Sequence, residues 1–208
     1  DDQYLPEITE EMKAVAEARF SARKAKNPKL FDGTAFHLDL SHAIIQPDHV
    51  VLTIGKMKYS LYDIARKEYI EQYGWEDIPT GMGMNAIIVT SDLKIVMHDR
   101  FPQTDHPLKI SVIGGVYNGG HPFDYIRNEI REETGINKEE IGEILLVGLS
   151  NRLEERINHE LTFFVKTYVS SNQILKKEKS LKEKEGKIFF IDQGPIILGL
   201  SQPVRRIM

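Results

Sequence analysis

Glu129, Glu132 and Glu133 stand at i, i+3 and i+4, the spacing at which helical side chains share one side. Like charges on neighbouring helical positions repel one another, so the group is unfavourable without a partner. A hard divalent cation resolves that conflict, and a donor set of carboxylate oxygens suits Mg2+ or Mn2+. The glycines ahead of the helix, in GGVYNGGHPFDYIRNEIREETGI (114–136), allow backbone to approach a ligand closely and to take φ angles that other residues resist. The competing reading is a solvated acidic helix compensated by Arg127 and Arg131, the commoner meaning of a bare E-x-x-E-E pattern. A strand before the glycines and a glycine stop after the helix favour the metal.

These residues need elements to position them. A helix is expected over 122–134, with Pro122 in its first turn, Gly135 at C′, and Phe123, Ile126 and Ile130 on a stripe that can be buried. ISVIGG (110–115) reads as an apolar strand running into the glycines, and 84–101 as two strands turning near Ser91-Asp92. EILLVGLS (143–150), ELTFFVKTYVS (160–170) and KIFFID (187–192) supply further strands, and the Lys/Glu stretch 176–187 is helix or loop with a solvated face. Upstream, 8–25 has helical apolar spacing ended by Asn27-Pro28, and 31–40 and 49–56 read as strands. An amphipathic helix is expected over 60–73, with Ser60 as its cap and Gly74 as its stop. The segment IPTGMG (78–83) is a credible seam between a small α+β unit, 1–78, and the remainder, 79–208.

The stretch 114–136 resembles the signature of the Nudix hydrolases, G-x5-E-x7-R-E-U-x-E-E-x-G-U with U aliphatic. Gly114 takes the first glycine, Glu129-Ile130 the E-U pair, Glu132-Glu133 the E-E pair and Gly135-Ile136 the closing G-U. The resemblance implies an α/β/α sandwich around a mixed sheet, and hydrolysis of a nucleoside diphosphate linked to another group. It also implies metal ligation by Glu129, Glu132 and Glu133 with help from the Gly114 carbonyl. A general base would be a signature glutamate, Glu132 or Glu133, or an acidic residue of a later loop: Glu155 first, then Glu154 and Glu160. Gly120 stands where the family has Glu and Asn128 where it has Arg, residues that in the family support the loop and orient the glutamates. Asn128 can still hold Glu129, and Arg127 or Arg131 can supply charge. The departures bear on rate more than on fold, and a nucleotide-binding module without turnover is the alternative function.

The front half, from KLFDGTAFHLD through VVLTIGKMKYSLYDIAR to TGMGMNAIIVTSDLKIVMHDR, resembles a Nudix branch that hydrolyses UDP-glucose and UDP-galactose. That implies a nucleotide sugar as one candidate substrate, beside ADP-ribose and dinucleotides. Candidate substrate contacts are Arg100, able to clamp a phosphate, together with Gly115 and Tyr117 of the glycine loop. Arg100 pairing with Asp99 or Asp105, and Tyr117 and Tyr125 serving in packing, are the plainer readings. His121 is either a substrate contact or a solvent-facing residue at the helix start.

Composition sets bounds. The chain has 208 residues, 41% apolar and 28% charged, ordinary for a globular protein. A net charge of −4 disfavours general nucleic-acid binding, and the absence of cysteine excludes disulfides and thiolate metal sites. The histidines show no H-x-x-x-H or H-x-H spacing for zinc. No apolar run approaches ~18 residues and no signal-peptide pattern is seen, so no membrane partner and a cytoplasmic location are expected. A homodimer, with strands near 34–55 pairing between chains, is a further expectation.

Overall fold

The structure, a computed structural model, describes residues 5–46, 49–65, 67–74, 78–101, 110–153, 157–181 and 186–192. In chain order the elements are α1 (Glu10–Lys26), β1 (Thr34–Ile45), β2 (Val50–Lys58), a 3₁₀ turn (Tyr59–Ile64), α2 (Lys67–Tyr73), β3 (Gly81–Val89) and β4 (Lys94–Arg100). Then come β5 (Ile110–Ser111), β6 (Ile113–Val116), α3 (Pro122–Thr134), a second 3₁₀ turn (Lys138–Glu140), β7 (Ile141–Leu153), β8 (Ile157–Thr167), α4 (Ser171–Glu178) and β9 (Gly186–Asp192). Pairing runs β2-β1-β3-β4-β5, with β6 and β8 on β3, β7 on β8 and β9 on β4. This is an α/β fold of a mixed sheet with helices. Among the described residues, no helix is long and apolar enough to cross a membrane.

Contacts gather the chain into two compact units that are not consecutive in sequence. One holds Asp1–Asn85, Gly114–Ile126 and Val147–Thr162, the other Ala86–Ile113, Arg127–Leu146 and Phe163–Met208.

In the first unit, the Thr9 hydroxyl accepts the Met12 N–H at 3.2 Å and caps α1, whose acidic first turn and basic last turn complement its dipole. Met12, Ala16 and Phe20, four residues apart, are its buried stripe. Met12 and Ala16 join Ala35, Met57, Tyr62, Ile64, Ala65 and Ile78 in one core. The Arg23 guanidinium donates to both oxygens of Asp63, at 2.7 and 2.8 Å, tying α1 to the 3₁₀ turn. β1 and β2 pair antiparallel, with Thr34 opposite Lys58 and a register shift between Asp39 and Ile44.

The single helix expected over 60–73 is two pieces. Ser60 does not cap it, because Asp32 takes both the Ser60 N–H and its hydroxyl, at 2.7 and 2.9 Å. Ala65 then leaves the helical region at φ −73° and ψ 57°, its N–H bonding back only three residues to Tyr62. The stop is where the sequence puts it: Gly74, at φ 92°, gives its N–H to Ile70.

In the second unit, Thr90 to Leu93 close the β3–β4 turn, with Leu93 in the left-handed region at φ 59°. β4 lies between two strands, pairing antiparallel with β9 from Lys94–Asp192 to Arg100–Gly186 and with β5 at His98–Ser111. The 110–115 run is therefore two short strands, β5 on β4 and β6 on β3, rather than one.

Candidate active site

Helix α3 begins and ends where its sequence dictates. The His121 carbonyl accepts the Asp124 and Tyr125 N–H groups, and its exposed ring accepts the Phe123 N–H at 3.3 Å, so His121 serves the helix start. Gly135, at φ 74°, closes the helix with its N–H on Arg131. Ile126, Ile130 and Thr134 are fully buried.

That stripe decides which glutamate is which. At 3.6 residues per turn, Glu133 points within about 20° of Ile126, Glu129 about 60° away and Glu132 about 120° away. The Glu133 side chain is accordingly 8% exposed, whereas that of Glu132 is 65% exposed and 3.9 Å from the Arg131 guanidinium. Glu129 is half-buried. The three share a side of the helix, as expected, but not an environment.

Glu133 is met from β4. His98 Nδ1 lies 3.2 Å from its Oε2 and Arg100 Nη2 lies 4.0 Å from its Oε1, with both partners' side chains at least 88% buried (3% and 12% exposed). His98 and Arg100 are two apart on the strand, so they face the same way. Arg100 also donates from Nε to the Ser111 hydroxyl at 3.3 Å. Of the two helix arginines expected to supply charge, Arg131 stands 3.9 Å from Glu132, while the charge nearest Glu133 comes from β4. Neither Glu133 Oε2 nor His98 Nδ1 completes a hydrogen bond, although both are buried. Sequence reading missed His98, because nothing local links it to a residue 35 positions away. Its one echo is Gly186, where a Cβ would run into the His98 ring and the Asp99 carbonyl.

Carboxylate oxygens are the donor set a hard divalent cation takes, and Glu133 Oε2 has bonding capacity left over, so these residues fit Mg2+ or Mn2+ in chemistry. As placed they do not converge. Among the described residues, no group of three His, Cys, Asp or Glu side chains stands so as to hold a metal ion.

Gly114 and Gly115 belong to the first unit. At φ 156°, a Cβ on Gly114 would overlap the Met84 carbonyl and the Asn85 side chain, so glycine there is what lets β6 press against β3. Tyr117 is 4% exposed, packed against Phe36 and Tyr125 with its hydroxyl donating to the Gly120 carbonyl, and burial pushes that hydroxyl's pKa up. So placed, it is a packing residue, not a platform for a base. Gly120 takes φ 88°, a conformation a glutamate resists. Tyr125 is buried too, its hydroxyl on the Val116 carbonyl. Of the general-base candidates, Glu154 and Glu155 lie outside the described residues. Glu160 accepts from Asn85 Nδ2 at 2.7 Å and Asn158 Nδ2 at 3.3 Å, two amides that the sequence did not single out.

No family model matches the chain, and no curated protein sequence matches it. Solved structures that it resembles include MutT and Nudix proteins. A MutT protein from Methanosarcina mazei Go1 has 20% identity and a TM-score of 0.42, over 53% of this chain and 75% of that one. A NUDIX hydrolase from Nitrosomonas europaea has 15% identity and a TM-score of 0.41, over 57% and 83%. The NUDIX domain of Shewanella oneidensis NrtR, solved with ADP ribose, has 12% identity and a TM-score of 0.41, over 59% and 77%.

Proposed function

We propose that this chain is a Nudix-type hydrolase that splits the diphosphate linkage of a nucleoside diphosphate derivative with the help of Mg2+ or Mn2+. The observation that carries the reading is Glu133, a carboxylate buried on α3 with an oxygen that no hydrogen bond satisfies, in register with Glu129 and Glu132. Glu129, Glu132 and Glu133 would hold the cation, with the Gly114 carbonyl as the further ligand that the sequence resemblance implies. A bound divalent ion supplies neutralisation of charge on the diphosphate and a more acidic water. The chain's own residues orient carboxylates: α3 fixes the spacing of the three, β4 holds Glu133, and two asparagine amides hold Glu160 as a candidate proton acceptor. Residues 79–208 form the hydrolase part in this reading and 1–78 an extension, with a nucleotide sugar among the substrates and a homodimer as the assembly.

A panel of nucleotide sugars, ADP-ribose and dinucleotides with each metal tests it. Turnover of at least one compound, abolished in Glu133→Gln, is the expected result, and no turnover across the panel sinks the reading. A second reading is favoured by the carboxylates that do not converge: a nucleotide-binding module without hydrolysis. Calorimetry then finds nucleotide affinity that survives Glu133→Gln while hydrolysis stays at background.

A further inference from the structure

We infer that His98 and Arg100 are positioning residues for Glu133, and that Arg100 acts on the reaction through that carboxylate rather than by gripping substrate phosphate. The inference rests on the metal site proposed above and adds to it the device that fixes its buried carboxylate.

A free glutamate side chain has several rotamers, and holding it in one costs side-chain entropy. Burial without partners would drive this carboxylate back to water. Here His98 Nδ1 stands 3.2 Å from Oε2 without completing a hydrogen bond, and Arg100 Nη2 stands 4.0 Å from Oε1, so the two side chains flank the carboxylate and leave Oε2 its bonding capacity. The partners are themselves fixed. β4 is paired on both edges, to β9 and β5, which makes it a rigid base for a site. Ser111 of β5 receives the Arg100 Nε–H, and the missing side chain of Gly186 on β9 leaves room for the His98 ring. A guanidinium whose side chain is only 12% exposed, and which is directed at Glu133 and Ser111, is placed to orient a neighbour.

The test is a mutant cycle read by Mn2+ titration calorimetry on the full chain, with steady-state kinetics on the compound that turns over. Arg100→Gln and His98→Asn should each weaken Mn2+ affinity and kcat by roughly 10–100-fold, the cost typical of losing a group that orients a ligand, while KM moves less than about 2-fold. In a Glu133→Gln background, the same substitutions should cost Mn2+ affinity nothing further, because their target is gone. Arg100→Lys, which keeps charge without the fork, should recover part of the loss, and that recovery separates positioning from misfolding. Raised KM with unchanged Mn2+ affinity in Arg100→Gln makes Arg100 a phosphate contact and overturns the inference. Equal losses with and without Glu133 overturn it as well. If the unaltered chain binds no Mn2+, the metal reading falls and this inference with it; if it binds Mn2+ and both single variants bind equally well, this inference falls alone.

Discussion

Asp92, in the turn between β3 and β4, accepts both the N–H and the hydroxyl of Ser171, at 2.8 and 2.6 Å. The turn thereby binds the first residue of α4, whose N-cap, Ser170, is already engaged in a capping box with Gln173. The Ser171 hydroxyl and N–H, with Thr90, hold the Asp92 carboxyl well below the usual carboxylate range. A folded value below the unfolded one contributes stability that is present above the ordinary Asp range near pH 4 and lost as pH falls through the folded value. Asp92→Ala should lower stability by about 1 kcal/mol near neutral pH, the usual worth of a cap. In urea titrations the gap between variant and parent should narrow toward about pH 2. A gap that stays constant with pH rejects this account.

His37 and His159 also cost stability in acid, in a higher pH window. Both are buried, and burial lowers both pKa values, that of His159 to about 4 with the neighbouring His37 adding to the shift. The Thr80 N–H lies 3.1 Å from His37 Nδ1. Unfolding lets each ring take a proton near pH ~6.5 that the folded ring refuses until lower pH. The unfolded state therefore binds more protons in that window, and stability, full above it, falls as pH drops, by up to ~1.4 kcal/mol per pH unit per ring. Urea midpoints at about pH 8 and about pH 5 should differ, and His159→Gln should shrink the difference. An unchanged difference in that variant would falsify the assignment.

Arg23 and Asp63 form a pair in which the carboxylate is fully buried and the guanidinium 19% exposed. Arg23 also lies over the Tyr59 ring, 5.4 Å from its centroid. Arg23→Ala leaves the Asp63 carboxylate without its charged partner, and should cost about 3 kcal/mol, the low end for breaking a buried pair because Arg23 is partly solvated. Arg23→Lys should recover only part, since one ammonium does not reproduce the fork in which Nη1 serves the Asp63 carboxylate and Nη2 donates to the Tyr59 hydroxyl at 3.2 Å. Thermal melts of the two variants check the order; equal melting temperatures for Arg23→Ala and the parent contradict it.

Gly114 and Gly120 should respond differently to alanine. At Gly114 the new Cβ meets Met84 backbone that cannot yield, so Gly114→Ala should lose about 1–3 kcal/mol from overpacking on top of backbone strain. At Gly120 no atom lies within 4 Å of the added Cβ, and only the positive φ resists. Gly120→Ala should therefore cost about 1–2 kcal/mol. Chemical denaturation of the pair decides it, and a Gly120→Ala variant less stable than Gly114→Ala reverses the reasoning.

Local rules were enough for much of this chain. The Ser91-Asp92 turn, Pro122 and Gly135 bounding α3, and Gly74 ending α2 all act through bonds within a few residues, so their meaning is written where they stand. The helix at 60–73 was misread because Asp32, 28 positions upstream, takes the Ser60 donors that a cap would have used. The three glutamates share that history. Their spacing on one side of a helix follows from the sequence alone, since 3.6 residues per turn is a property of any helix. Which of them is buried follows from the direction in which Ile126 and Ile130 pack. That Glu133 meets His98 and Arg100 follows only from strand β4 passing beneath α3, a long-range contact whose partners carry no mark of each other in the sequence.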